Sequence, residues 1–206
     1  MRRGWRLVAG CDEVGRGALL GPVYAAAVIL DPAKPIKGLD DSKKLAPAER
    51  LELDPEIREK AVAFRIVSVS TRDVDALNVY QASRQAMISA LRSLVPTPDF
   101  VLTDAMRLAG WGDAIEFSIP HRSLVHGDAR SVSIAAASIL AKVARDAHMV
   151  ELDQLYPQYQ LAKNKGYATP EHRAALLQHG PCAEHRRTFQ PVKDSLSPLL
   201  PFPGEA

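Results

Sequence analysis

Two acidic residues and a glycine-rich turn follow one another near the start of the chain. Asp12 and Glu13 come directly after the apolar run Leu7–Cys11, and Gly15-Arg16-Gly17 follows one residue later. Glycine lets backbone N–H groups approach a ligand closely, and the nearby arginine favours a phosphate. A short glycine motif is weak evidence by itself, but its pairing with two acids indicates a binding site at the end of a strand.

Two further acids occupy comparable positions. Asp104 follows the apolar run Phe100–Thr103, and Asp128 lies in a polar turn ahead of a long helical segment. If the two strands are neighbours, the acids come together, and a proton or a cation must offset their repulsion. Carboxylate oxygens suit Mg²⁺ or Mn²⁺, and two such ions about 3.5–4 Å apart can cleave a phosphodiester. Taken singly, each acid is better explained as a turn, cap or strand-end residue.

The segments that must hold these residues predict a mixed α/β layer fold. Patterns of apolar residues predict strands at Leu7–Cys11, Val23–Leu30, Phe64–Ser70, Phe100–Thr103 and Ala114–Ile119. They predict helices at Pro47–Lys60, where Pro55 argues against one continuous helix, and at Asn78–Leu94, Ser131–Leu155 and Glu171–His179. Thr169 and Gly180 are the expected caps of the last helix. Residues 195–206 hold too many prolines for regular structure and are expected to form a flexible tail.

Composition sets broad limits. A chain of 206 residues that is 47% hydrophobic fits a single domain with one core. Its formal charge of +2 does not indicate nucleic-acid binding, but it permits a local basic face. No apolar run approaches the ~18 residues of a membrane span. Cys11 and Cys182 are expected to be reduced thiols in a soluble cytoplasmic protein, and Cys182 with His185 would make only half a metal site.

Taken together, the motifs resemble the ribonuclease HII family, the type 2 ribonucleases H. The matching blocks occur in family order over roughly residues 6–193: Asp12–Gly17, Gly21-Pro22, Asp41–Leu45, Gly127-Asp128, Ser133–Val143 with Arg145-Asp146, Lys165–Thr169 with His172, and His185–Phe189. The sequence departs from the family after the third acid, where alanine, Ala105, stands in place of the usual glycine. Alanine restricts the backbone more than glycine does, so we expect a small shift of Asp104.

The resemblance implies a fold, an activity and a set of site residues. The fold would be a ribonuclease H-like mixed five-stranded sheet flanked by helices, within a single catalytic domain over residues 1–194 whose C-terminal part, from about residue 147, is helical. The substrates would be RNA/DNA hybrids and single ribonucleotides in duplex DNA. Cleavage 5′ to the ribonucleotide would leave a 3′-hydroxyl and a 5′-phosphate, in the removal of RNA primers and misincorporated ribonucleotides.

The implied site residues fall into three sets. Asp12, Glu13, Asp104 and Asp128 would be the catalytic, metal-binding acids for two Mg²⁺ or Mn²⁺ ions. Substrate-binding residues would be Gly15, Arg16, Gly17, Ser42, Lys43 and Tyr167. Further phosphate contacts would be Lys44, Lys142 and Lys165.

Several alternatives remain open on the sequence. Lys142 could simply pair with Asp146 one helical turn away, and Tyr167 could be an ordinary half-buried tyrosine. The segment Ser195–Phe202 loosely resembles motifs that dock proteins onto a sliding clamp, although its composition favours a disordered tail. The whole chain could be a non-catalytic duplex-binding protein of the same fold, or another nuclease or transposase-like enzyme. We also expect a monomer with no membrane association.

Overall fold

A computed structural model describes residues 4–40, 42, 44–109 and 117–196 of the chain. The strands in this part are β1 (Val8–Val14), β2 (Val23–Leu30), β3 (Ala61–Val69), β4 (Phe100–Asp104) and β5 (His121–Leu124). They form one sheet in the order β3-β2-β1-β4-β5. β1 is antiparallel to β2 and parallel to β4, β2 is antiparallel to β3, and β4 is parallel to β5. The predicted mixed five-stranded sheet is therefore confirmed.

Helices connect and follow the strands. In the same residues they are α1 (Pro47–Lys60), α2 (Thr71–Leu77), α3 (Val79–Arg92), α4 (Val132–Leu155), α5 (Leu161–Asn164), α6 (Pro170–His179) and α7 (Gln190–Leu196), with a 3₁₀ turn at Pro157–Tyr159. The predicted caps of α6 are confirmed, because the Thr169 hydroxyl accepts from the N–H of His172 and Gly180 ends the helix at φ +69°. None of the helices that the structure describes is both long and apolar enough to cross a membrane.

Several boundaries differ from the sequence predictions. β1 continues to Val14, so Asp12 and Glu13 lie inside the strand and not beyond its end, because pairing with β2 extends to Val14 opposite Tyr24. Pro55 lies within an unbroken α1, where it is exposed on a helix that Ile57 anchors in the core. Helix α2 was not predicted, since seven residues are too few for a clear helical period.

The predictions for the fifth strand and for the tail need separate correction. Residues 114–116 of the predicted strand Ala114–Ile119 lie outside the described residues, residues 117–119 are not in a strand, and the edge strand is β5. Helix α7 includes Ser195 and Leu196, so any tail begins after them. Residues 197–206 lie outside the described residues.

The sheet is covered on both faces, and one contact brings α4 against the middle of β1. Helix α3 contributes Met87 and Leu91 to the core on one face, while α4 contributes its alanine-rich turns to the other. At Gly10 a Cβ atom would lie 2.1 Å from the carbonyl carbon of Ser133, so only glycine allows this approach of strand and helix. Because alternate strand residues share a face, Asp12 is directed toward the same helix.

Candidate active site

The acids of β1 lie beside the acid of β4. The parallel register pairs Cys11 with Thr103, so the next residues along, Asp12 and Asp104, are neighbours at the same end of the sheet. Asp12 is only 7% exposed. Burial raises its pKa well above the usual range for aspartate, and the negative charges of Glu13 and Asp104 raise it further. The predicted convergence of these three acids is thus present.

The two carboxylate oxygens of Glu13 have different environments. Its Oε1 accepts from Arg16 Nη1 at 3.1 Å. Its Oε2 is buried and has no hydrogen-bond partner among the described residues. Burial raises the pKa of Glu13, Arg16 opposes that shift, and the charge of Asp104 adds to it. A buried carboxylate oxygen that accepts no hydrogen bond still has lone pairs that can coordinate a cation.

A glycine joins the third acid to the fourth. The N–H of Gly127 donates to Asp104 Oδ1 at 2.7 Å, and a Cβ at Gly127 would lie 2.7 Å from Ile134 Cδ1 and 3.3 Å from the Asp104 Cα. Asp128 follows directly, is 5% exposed, and accepts from the N–H of Ala129 at 2.9 Å. The turn before α4 therefore fixes Asp104 and carries Asp128 next to it.

Ala105 adopts the left-handed backbone conformation that glycine would adopt more easily. Its φ is +47°, its side chain is exposed, and its N–H donates to the carbonyl of Leu124 at 2.9 Å. The alanine is therefore accommodated by local strain, with Asp104 still bonded to Gly127.

Two serines extend the acid site into the interior, and sequence analysis missed the role of one of them. The hydroxyl of Ser138 forms a hydrogen bond that lowers the pKa of Asp12, and it lies 2.7 Å from the hydroxyl of Ser42. Arg50 Nη1 in turn donates to the Ser42 carbonyl at 2.7 Å. The available signal was a hydroxyl inside the buried, alanine-rich part of α4, which is more than packing requires.

The glycine turn lies against Tyr167. The two segments meet in an antiparallel bridge between Ala18 and Tyr167, and the N–H of Leu19 donates to the Gly166 carbonyl at 2.8 Å. A Cβ at Gly17 would lie 4.0 Å from Tyr167 Cε1. Arg16 and Gly17 are exposed and Tyr167 is half-buried, so a ligand can reach the turn and the ring together.

Two buried arginines support this turn, and sequence analysis assigned neither a role. Gly15 has φ +94°, and a Cβ there would lie 2.2 Å from Arg145 Nε. The guanidinium of Arg145 also lies 5.4 Å from the centre of the Tyr167 ring. Arg186 donates to the carbonyl of Arg16 at 2.9 Å. Their place in the motif blocks that resemble the ribonuclease HII family was the available signal in the sequence.

The predicted lysine contacts have separate environments. Lys142 forms the ion pair with Asp146 that was the simpler alternative, at 2.7 Å, and burial lowers its pKa. Lys142 and Lys165 line one groove of about 570 Å³ together with Lys163. Lys44 is exposed and pairs with Asp40 at 3.3 Å. Lys43 lies outside the described residues.

The acid site has groups that fit a cation, although the described residues do not form a complete ligand set. Within residues 4–40, 42, 44–109 and 117–196, no three His, Cys, Asp or Glu side chains form a group that could hold a metal ion as they stand. The fit rests on the buried Oε2 of Glu13 and on the raised pKa values of Asp12 and Glu13, which a bound cation would lower. Cys182 Sγ lies 3.2 Å from His185 Nδ1, but His185 Nε2 is bonded to His172 Nε2. These contacts assign Cys182 and His185 to a structural hydrogen-bond network and not to a metal site.

Comparison with known proteins gives one consistent family. The family model described as Ribonuclease HII matches residues 9–192. A ribonuclease HII of Solibacter usitatus (strain Ellin6076) is 53% identical over 191 residues, covering 93% of this chain and 81% of that protein. The solved ribonuclease H2 of Pyrococcus horikoshii OT3 has a TM-score of 0.76 at 26% identity, covering 92% of this chain and 97% of that one. The ribonuclease HII of Archaeoglobus fulgidus, solved in complex with PCNA, has a TM-score of 0.74 at 25% identity, covering 90% of this chain and 96% of that one.

Proposed function

This chain belongs to the ribonuclease HII family and is an endoribonuclease, and we propose that it cuts the RNA strand of RNA/DNA hybrids and nicks duplex DNA 5′ to single ribonucleotides. The products would carry a 3′-hydroxyl and a 5′-phosphate. The observation that carries the proposal is the joining of two features in β1 and the turn after it. The buried side chains of Asp12 and Glu13 come two to five residues before the turn Gly15–Gly17, where Arg16 and Gly17 are exposed. Ala18, the next residue, is bridged to Tyr167.

The four acids are the proposed metal ligands. In addition to burial, the charges of Glu13 and Asp104 raise the pKa of Asp12, and the charge of Asp104 also raises the pKa of Glu13. The N–H of Gly127, which donates to Asp104, ties the neighbouring Asp128 to this group. Mg²⁺ or Mn²⁺ ions, two when the site is filled, would supply Lewis acidity for attack of water on the phosphodiester and for departure of the leaving oxygen. The unsatisfied Oε2 of Glu13 supports its assignment as a ligand.

Selection of the ribonucleotide would belong to the turn. A 2′-hydroxyl both donates and accepts a hydrogen bond, so backbone groups of Gly15–Gly17 can bind it and would be left unpaired by deoxyribose. Sites of this kind discriminate by ~10⁴–10⁵ in favourable cases. Tyr167 would pack on the sugar of the next nucleotide, which its position beside Gly17 supports.

Phosphate contacts would hold the duplex in register without reading its sequence. Ser42, Lys43 and Lys44 would be one set of these contacts. Lys142 and Lys165 would extend it along the groove that they line, which Arg50 connects to Ser42 by donating to the Ser42 carbonyl. Lys142 keeps Asp146 as its partner in the free protein, so it would contribute less than an unpaired lysine.

In the cell, the enzyme would remove misincorporated ribonucleotides and RNA primers from chromosomal DNA in the cytoplasm. It would act as a monomer, because all four acids and the turn come from one chain. Residues 1–194 would be one domain, since α4 runs from the sheet into the helical C-terminal part.

Docking on a sliding clamp is a second proposal for the tail. The Archaeoglobus relative was solved with PCNA, and Ser195–Phe202 carries apolar residues suited to such a contact. Truncation after Leu196 should abolish capture by the clamp and leave cleavage unchanged. Equal capture of the truncated and full chains would exclude the tail as the docking segment.

The catalytic proposal is tested with Asp12→Asn and Asp128→Asn, which keep shape but lose an anionic ligand. Both should lose cleavage in magnesium and retain duplex binding, while EDTA should abolish cleavage by the unaltered enzyme. Exposed Asp194→Asn is the control and should cut normally. Full activity of either site variant would overturn the metal assignment. Binding without cleavage by the unaltered protein would favour the non-catalytic alternative.

A further inference from the structure

Two buried arginine side chains lie directly beneath the glycine turn. Arg145 and Arg186 are both 0% exposed. Arg145 donates to the carbonyls of Lys165 at 2.9 Å and of Leu20 and Pro22 at 3.3 Å. Arg186 donates twice to the carbonyl of Gly21, at 2.7 and 2.9 Å, and once to that of Arg16 at 2.9 Å. The loop from Arg16 to Pro22 is thus held from below by two cations.

Neither cation has a carboxylate partner in the part of the chain that the structure describes. Among the described residues, no ion pair includes Arg145 or Arg186. The acids that favour their charge from further away are Asp146 and Asp75, and each is bonded elsewhere: Asp146 to Lys142, and Asp75 to the N–H groups of Arg187 and Thr188. Aromatic faces offer the remaining compensation, from Tyr167 above Arg145 and from Phe189 beside Arg186.

Burying an unpaired charge costs free energy, and the positive charges of Arg145 and Arg186 also repel each other. Burial lowers the pKa of Arg186 to about 9, with the charge of Arg145 as the next cause. Holding a loop requires hydrogen-bond donors but not two positive charges. An anionic ligand that binds at the loop would explain why two positive charges are buried beneath it.

We propose that Arg145 and Arg186 are positioning residues whose buried charge gives the loop from Gly15 to Pro22 its affinity for a backbone phosphate beside the ribonucleotide. The nucleic acid supplies the counter-charge that the free protein lacks, through the carbonyls and the turn that the guanidinium groups hold. This inference rests on the proposed function, because it concerns the same turn. It adds that recognition depends on two side chains that the substrate never touches.

Arg186→Gln tests the charge, since glutamine keeps a donor for Gly21 but is neutral. Binding is measured without divalent metal to a DNA duplex containing one ribonucleotide, from about 50 to about 200 mM salt. Affinity should fall about tenfold, and the slope of log Kd against log salt should fall by about one. Arg84→Gln is the matched control, since Arg84 is also buried and donates twice to one carbonyl, that of Leu108; its salt slope should stay unchanged.

Arg186→Lys keeps the test decisive if the neutral variant does not fold. Lysine retains the charge but loses the two-pronged contact with the Gly21 carbonyl. The Arg186→Lys variant should therefore be less stable, but its binding should show the unaltered salt slope. An unchanged slope and affinity in Arg186→Gln, or a slope that falls in Arg186→Lys, would overturn the inference. Cleavage of the same duplex by the unaltered enzyme in magnesium separates the two proposals. If it cuts while Arg186→Gln binds normally, only this inference fails; if it does not cut, the proposed function fails and this inference with it.

Discussion

The hydroxyl oxygens of Ser42 and Ser138 lie 2.7 Å apart, although 96 residues separate them in the sequence. Ser138 also bonds to Asp12, so a short polar chain runs from the loop before α1 to a buried acid of the site. The chain supplies a donor to a carboxylate that burial would otherwise drive toward its protonated form.

Ser138→Ala should therefore weaken metal binding more at low pH than at high pH. Without this donor the pKa of Asp12 rises, and protons compete better with the metal. We expect the magnesium needed for half-maximal cleavage to rise about tenfold near pH 6.5 and much less near pH 8.5. Ser83→Ala is the control, because the Ser83 hydroxyl is buried without a partner among the described residues. Equal magnesium curves for Ser138→Ala and the unaltered enzyme would contradict this role.

Gly15→Ala should disrupt the turn by collision as well as by strain. Gly15 and Gly38 both have positive φ, +94° and +80°, but a Cβ meets Arg145 at 2.2 Å at the first position and nothing within 4 Å at the second. Gly38→Ala should cost about 1 kcal/mol in stability and leave cleavage unchanged. Gly15→Ala should lower kcat/KM on a single-ribonucleotide duplex about 100-fold or more. Similar activities for the two variants would show that the contact with Arg145 is unimportant.

Ala105→Gly should stabilise the protein. The residue is exposed at φ +47°, where glycine has no steric penalty. We expect the free energy of unfolding to rise by about 0.5–1 kcal/mol with cleavage retained. Ala174→Gly, in the exposed middle of α6, should instead lower it by about 1 kcal/mol. Denaturant unfolding of both variants decides the point, and a loss of stability at both positions would show that Ala105 is not strained.

A buried histidine pair should make folding sensitive to acid. The N–H of Cys182 donates to His185 Nδ1, so His185 must donate from Nε2 to His172 Nε2, 3.2 Å away, and His172 Nδ1 donates to the Tyr167 carbonyl at 2.9 Å. The bond between the two rings needs both of them neutral, and the bond from Cys182 needs His185 neutral. Burial, with the neighbouring charge of His172, lowers the pKa of His185 to about 3.

Since the unfolded chain binds this proton near pH 6.5, stability should be complete above that pH and fall between about pH 6.5 and pH 3. His185→Gln should be less stable near neutral pH but should lose about 2 kcal/mol less than the unaltered protein between about pH 7.5 and pH 5.0. Exposed His179→Gln should follow the unaltered protein. Parallel pH curves for His185→Gln and the unaltered protein would rule out this linkage.

Local patterns sufficed where one segment determines the outcome. β2 has the predicted bounds because every residue in Val23–Leu30 suits a strand covered on both faces. The extension of β1 through Asp12 and Glu13 could not be predicted in this way, because backbone pairing with β2 holds these residues in the strand. Their polar side chains give no apolar pattern that would indicate a strand. The same holds for β5, whose only sheet partner in the described residues is β4.

The candidate site divides along the same line. The acids and the glycine turn could be found from residue type and spacing. The contacts of Ser138 could not, because a helical pattern shows that a hydroxyl is buried but not which strand residue it meets. The roles of Arg145 and Arg186 could not be predicted either, because arginine usually lies on the protein surface. Only the fold shows that both side chains are fully buried.

The most direct test of the account is to map the nick in an end-labelled DNA duplex that contains one ribonucleotide. In magnesium or manganese the enzyme should make a single cut on the 5′ side of that ribonucleotide, leaving a 3′-hydroxyl and a 5′-phosphate, and EDTA should prevent it. No cut, a cut at another position, or equal cutting of the same duplex without the ribonucleotide would contradict the joint action of the acids and the glycine turn.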